Sequence, residues 1–426
     1  MKKILAGIFM VLLPLIVFAS SGSSGQEGFS VAGIRLEFVL FALTLVGVAL
    51  FHNQTLYVAL TGLASILILR FVSTDFDFVA HLEHESSILL NLLGLLLGFS
   101  ILAKHFEESG VPDNLPKILP AGWVGSFVLL ILIFFMSSFL DNIAAALIGG
   151  SIALVIYKGK VHIGFIAAIV AASNAGGAGS VVGDTTTTMM WIDGVAILDV
   201  VHAYAAAIPA LLVFGIIAAR QQNAYQPIIK ELGGQSKAID TKRLLVCVLI
   251  LIGAVATNIL LDFPAAGVWA AILIGALFTH TPWKEVRLAL PGTVFLLSLV
   301  LCASMMPVDQ LPPASWQTAF ILGFVSAVFD NIPLTKLALD QGGYDWGVLA
   351  YAVGFGGSMI WFGSSAGVAI SNLFPQAKSV ANWVKNGWHV ILGYVIGFAI
   401  LIGLLGWHPH APHKEPKGEN TTEQTH

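Results

Sequence analysis

Charge is what this chain has least of. Of its 426 residues only 10% are Asp, Glu, Lys or Arg, against roughly a quarter in a soluble domain. A water-facing surface is not built from so few. With 57% hydrophobic residues and a mean hydropathy of +0.87, the chain reads as an all-α, polytopic membrane protein. The net charge is −4, and no basic stripe with interleaved aromatics occurs, which excludes nucleic acid as a partner. Cysteine is nearly absent: Cys247 and Cys302 each sit inside an apolar run, so a disulfide framework or thiolate metal site is not expected. Nor is there a phosphate-binding loop, a Ser/His/Asp order or a zinc-ligand spacing. An enzyme is therefore not expected, and transport would draw on an ion gradient.

What is present is concentrated at residues 173–191, SNAGGAGSVVGDTTTTMMW, where glycines, hydroxyls and a carboxylate stand between two apolar runs. Gly176, Gly177, Gly179 and Gly183 argue for a break in a membrane helix, and backbone freed at that depth is tolerated only against protein or a water-filled cavity. Asp184, beside Thr185, Thr186, Thr187 and Thr188, is a functional-site candidate. It is equally a candidate N-cap for a helix beginning at Thr185.

In chain order, residues 1–19 carry Lys2 and Lys3 before an apolar run and read as a signal peptide or a first membrane helix. Residues 20–35 form a polar spacer. Spans are expected at 36–51, 56–72 and 88–103. Between the last two lies an acidic outer loop with Asp75, Asp77, Glu83 and Glu85, where His81 and His84 form at most a weak metal motif. Residues 123–157 are apolar except for SSFLDNIAAA, centred on Asp141 and Asn142. This reads as a re-entrant hairpin, with each arm about 17 residues or roughly 25 Å, the alternative being two full spans with a short turn at Asp141. The broken segment, which also carries Asn174, and a span at 202–219 complete a first transport repeat, 36–219. Arg220, Lys230, Lys237, Lys242 and Arg243 mark 220–243 as a cytoplasmic linker.

Residues 244–406 repeat the order. Asp330 and Asn331 follow Asp141 and Asn142 by 189 residues, and Gly356, Gly357 and Gly363 follow Gly176, Gly177 and Gly183 by 180. An odd number of crossings separates the halves, so the repeat is expected to be inverted, each copy with a re-entrant hairpin and a broken helix. The tail, 407–426, is expected to be disordered and extracytoplasmic, with His408, His410 and His413 as a weak metal motif. Three carboxylates, Asp141, Asp184 and Asp330, then fall at breaks near amide and hydroxyl oxygens, a set suited to a hard cation such as sodium. Removing a carboxylate from water favours its protonated form, so a cation and a proton would compete for it. That competition is the simplest route to cation/proton antiport. Lys336, in an apolar run, is either a partner for Asp330 or Asp340, a proton carrier, or an anchor for an anionic substrate. Helix N-termini at the breaks would also favour an anion, so a di- or tricarboxylate carrier is the alternative.

The stretches SNAGGAGSVVGDTTTTMMW, FDNIPLTKLALD and GGSMIWFGSSAGVAISN resemble the signature regions of NhaD-type sodium/proton antiporters, within the larger superfamily that holds citrate and arsenite carriers. The resemblance implies a bacterial-type inner-membrane exchanger of sodium or lithium for protons. Its cation and proton sites would include Asp141, Asn142, Asp184, Thr185, Thr186, Asp330, Asn331, Ser364 and Ser365, with no cofactor. Ala144 and Ala145 stand where that family usually has threonines. Expected partners are the lipid bilayer, small inorganic cations and protons, with a second copy of the chain as a candidate.

Overall fold

The computed structural model describes residues 30–31, 34–51, 54–73, 76–229 and 238–410. The leader at 1–19, most of the spacer, part of the linker including Lys230 and Lys237, and the tail beyond 410 with His413 lie outside the described residues. Apart from a two-residue antiparallel ladder, Ser30–Val31 against Ile34–Arg35, the described chain is helical. Among the described residues six helices are long and apolar enough to cross a membrane, so the protein is a polytopic membrane protein as its composition indicates.

Three helices open the chain: α1 (Leu36–Leu50), α2 (Thr55–Ser73) and α3 (Phe78–Glu108). The acidic outer loop expected before residue 88 is instead the first turns of α3. Asp77 caps that helix, accepting from the backbone N–H of Val79 and Ala80 at 2.9 and 3.1 Å, which places His81, Glu83, His84 and Glu85 on helix. After a short α4 (Val111–Ile118) come α5 (Gly122–Ser137) and α6 (Asn142–Ile156), joined through Asp141. Then follow α7 (Ile163–Ala178), α8 (Thr185–Ile192), α9 (Ile197–Val201) and α10 (Tyr204–Tyr225).

The second half runs α11 (Thr241–Leu261), α12 (Pro264–Gly275), α13 (Lys284–Ser304), α14 (Trp316–Ser326), α15 (Asn331–Gln341), α16 (Trp346–Gly356), α17 (Ser365–Leu373) and α18 (Val380–Leu405). Gly387 is non-helical inside α18 and kinks it.

Two groups of helices follow from the packing. In one, α3 lies against α11, α12 and α13, and α13 against α2. Close approach there uses small residues and amide groups: Trp269 Nε1 donates to the Gly94 carbonyl at 3.0 Å, and Asn91 Oδ1 accepts from Ala265 N at 3.3 Å. In the other, α7 is surrounded by α5, α6, α10, α16 and α18 and is buried at every position after Ile163. Gly176 and Gly177 do not break α7; the helix runs through both and ends at Ala178. They are glycine because backbone comes too close for a side chain. A methyl group on Gly176 would collide with the Phe134 carbonyl, and one on Gly356 with the Gly323 carbonyl.

Gly176→Ala should therefore lower stability by about 1–3 kcal/mol through overpacking. Gly403→Ala, at a helical position with open space around it, should be neutral or stabilising by up to about 1 kcal/mol. Thermal unfolding of the two purified variants against the parent checks the contrast.

Candidate functional site

Four helices begin at interior breaks, and each needs acceptors for its first backbone N–H groups. Sequence supplies a capping residue each time. Asp141 accepts from Ile143 N at 3.2 Å at the start of α6, and Asp330 from Ile332 N at 3.0 Å at the start of α15. Asp184 Oδ1 takes both Thr186 N and Thr186 Oγ1 at 3.2 Å at the start of α8. Ser364 Oγ takes Gly367 N at 3.2 Å at the start of α17. The reading of Asp184 as a helix cap thus holds. It does not exhaust the residue, because Asp184 Oδ2 is buried with no hydrogen-bond partner.

These helix ends meet at one cavity of about 1280 Å3, lined by Asp141, Asn142, Asp184, Thr185, Asp330, Asn331, Ser364 and Ser365. Asp184, Asn142, Asn331 and Ser364 are buried, while Asp141, Asp330 and Ser365 are half-buried. Ser365 Oγ approaches Asp330 Oδ2 at 3.5 Å. The cavity continues along α6 and α17 to Lys104, Glu107, Glu108, Asp113 and Glu285. Among the described residues every other charged group lining it is a carboxylate; Lys104 is the one cation, and it is held by Glu107 at 2.9 Å.

Three of the residues singled out from sequence do not line the cavity. Thr186 lies behind it on Asp184. Asn174 sits between the halves: its Oδ1 accepts from Asn142 Nδ2 at 3.2 Å, and its Nδ2 donates to Ser358 Oγ and Ser364 Oγ at 2.9 and 3.1 Å. Lys336 is 2% exposed and bound between Asp340, at 2.6 Å, and Glu85, at 2.9 Å. Of its two suggested partners, Asp340 is therefore the one it meets. Glu85 was missed, since it arrives on α3 from 251 positions away. Ser358 was missed too, although a signal existed: it follows Ala178 by 180 residues, the same interval that relates the glycine breaks.

His81 reaches Ser304 Oγ at 2.9 Å. His408 donates its backbone N–H to Asp345 at 2.9 Å, and His410 lies 4.0 Å from Asp199. Among the described residues no group of three or more His, Cys, Asp or Glu side chains is arranged for a metal ion.

Carboxylates, amides and hydroxyls converging at helix ends inside a helical membrane protein define a membrane transport protein. Comparison with known proteins narrows the class. The citrate transporter family profile matches residues 38–356, and the chain belongs to that family, whose members are secondary transporters rather than enzymes. Among its relatives are sodium/proton antiporter 1 of Arabidopsis thaliana, 26% identical over 78% of this chain, and the Na(+)/H(+) antiporter NhaD of Alkalimonas amylolytica, 24% identical over 94% of this chain and 96% of its own length. The Vibrio cholerae NhaD is 24% identical over 63% of this chain and 68% of that protein. The chain spans 65% of the length of the first Arabidopsis protein.

The Lys336 cluster generates a test. Lys336→Met leaves Glu85 buried without its cation and should cost about 3–5 kcal/mol, whereas Lys336→Met combined with Glu85→Leu should recover much of that loss. Thermal unfolding of single and double variants reads the difference.

Proposed function

We propose that this protein exchanges sodium or lithium for protons, with Asp141, Asp184 and Asp330 taking cation and proton in turn. The observation that carries the reading is the sign of the cavity: among the described residues seven carboxylates line it, Asp141, Asp184, Asp330, Glu107, Glu108, Asp113 and Glu285, against the single Lys104. Such a field concentrates cations and repels a multiply charged anion. Lys336, the residue that would anchor a carboxylate, is engaged by two acids away from this cavity. The family's description names citrate, and helix N-termini suit an anion, but the lining charge favours the cation.

The inverted architecture expected from sequence has support of the same kind. Gly177 faces the Gly183 carbonyl and Asp184 Cβ at 2.7 and 3.0 Å, measured from where its own Cβ would stand; Gly357 faces the Gly363 carbonyl and Ser364 Cβ at the same two distances. With α5–α6 and α14–α15 as re-entrant hairpins, and α7–α8 and α16–α17 as broken helices, the cation site lies where both halves meet. Lys104 at the cavity and Lys242 and Arg243 at the start of α11 support a cytoplasmic mouth. On this reading the state is inward-open, and cytoplasmic sodium and protons reach the carboxylates through the cavity. Binding of sodium displaces the proton from the carboxylates. Movement of the helix-end group against α3 and α13 then carries the cation across, and protons return on the same oxygens.

In liposomes holding a pH-sensitive dye, sodium or lithium should collapse an imposed proton gradient, and citrate should not. Asp184→Asn and Asp330→Asn should each abolish the response while the protein remains monodisperse; full activity in both would remove these residues from the site. Because proton and cation share the carboxylates, half-saturating sodium should rise as pH falls, approaching about tenfold per unit once the site is mostly protonated.

A further inference from the structure

The interval of 180 residues that relates the two glycine breaks also pairs Asn174, Ala178 and Asp184 with Gly354, Ser358 and Ser364. The structure joins these six residues crosswise. Asn174, on α7, donates to Ser358 and Ser364. Gly354, on α16, stands at the matching place over Ala178 and Asp184. A methyl group built on it would lie 3.5 Å from Ala178 Cβ and 3.3 Å from Asp184 Oδ2. The contacts correspond residue for residue, and the fillings differ.

On one side a neutral carboxamide supplies its N–H groups to two neutral hydroxyls, and Asn142 closes the cluster by donating to the same amide. On the other side the two serines are replaced by Ala178 and a carboxylate, and the asparagine is replaced by a glycine with nothing to donate. Asp184 Oδ2 is left buried and unpartnered. Asn331, the counterpart of Asn142 at the interval of 189, lines the cavity together with Asp184. A buried carboxylate oxygen without a donor is stable only with a proton or a cation on it. A serine hydroxyl with a donor already attached needs neither.

We infer that only one of these two matching places takes a transported cation, the one formed by Asp184 Oδ2 beside Gly354 and Asn331, and that the Asn174 carboxamide permanently fills the other. The inference rests on the antiport reading and sharpens it. Asn174 becomes a positioning residue that substitutes a fixed hydrogen-bond donor for a second ion, and Gly354 is kept side-chain-free because the ion needs the room.

Binding of 22Na+ to the detergent-purified full chain at alkaline pH tests this without requiring turnover. One ion per chain is expected. Gly354→Ala should raise half-saturating sodium about tenfold, equivalent to ~1.4 kcal/mol, and half-saturating lithium, the smaller ion, by less. Gly354→Asn, which supplies the missing amide, should abolish binding in protein that stays monodisperse. Two ions per chain, or a Gly354→Ala variant that binds sodium like the parent, overturns the inference and leaves antiport standing. A parent that binds neither sodium nor lithium overturns both. Should Gly354→Asn fail to fold, the ion count and Gly354→Ala decide the matter alone.

Discussion

A helix that starts inside an apolar interior must find acceptors for its first N–H groups, and everything distinctive in this protein follows from how four helices meet that demand. Water does not do it, so side chains must. Asp141, Asp184, Asp330 and Ser364 each place one oxygen on the backbone that follows. The positive end of the helix dipole in turn stabilises a carboxylate held there. A carboxylate has two oxygens. Capping uses one and fixes the side chain, which leaves the second aimed and available, as Asp184 Oδ2 shows. In the proposed antiport, structural and functional duties are thus divided between two atoms of one residue.

The distribution of the remaining charge obeys the same economy of solvation. Acids line the cavity. The buried lysine lies elsewhere, neutralised by Glu85 and Asp340. Had Lys336 faced the cavity, it would have cancelled part of the field that draws cations in. Its pairing with Glu85 also ties α15, one of the helices beginning at a break, to α3.

The spans and the breaks were legible in the sequence because both are local: long apolar runs on one hand, and Asp-Asn or clustered glycine inside such runs on the other. Asp141, Asp184 and Asp330 were found that way, and they share one cavity. The beginning of α3 was not legible. Its first turns carry His81, Glu83, His84 and Glu85, which look like a solvated loop until Lys336 arrives from the far end of the chain to neutralise Glu85. Asn174 read as a cavity ligand because it lies in the polar stretch; only the packing of α7 on α16 shows its amide spent on Ser358 and Ser364. The acidic mouth was equally hidden, since Glu107 and Glu285 belong to helices that meet only in the folded chain.

The mutual packing of α3 with α11 and α12, and of α13 with α2, has a consequence for biogenesis. The surfaces that α2 and α3 bury are supplied by segments synthesised more than a hundred residues later. When the first half has emerged from the ribosome, its carboxylates and opened backbone already sit in lipid without their final neighbours. Contacts of such long sequence separation form late, so the nascent half depends on the insertion machinery or on bound water to shelter its polar groups. Assembly is completed only when the last helices arrive and pack against α2, α3 and α7.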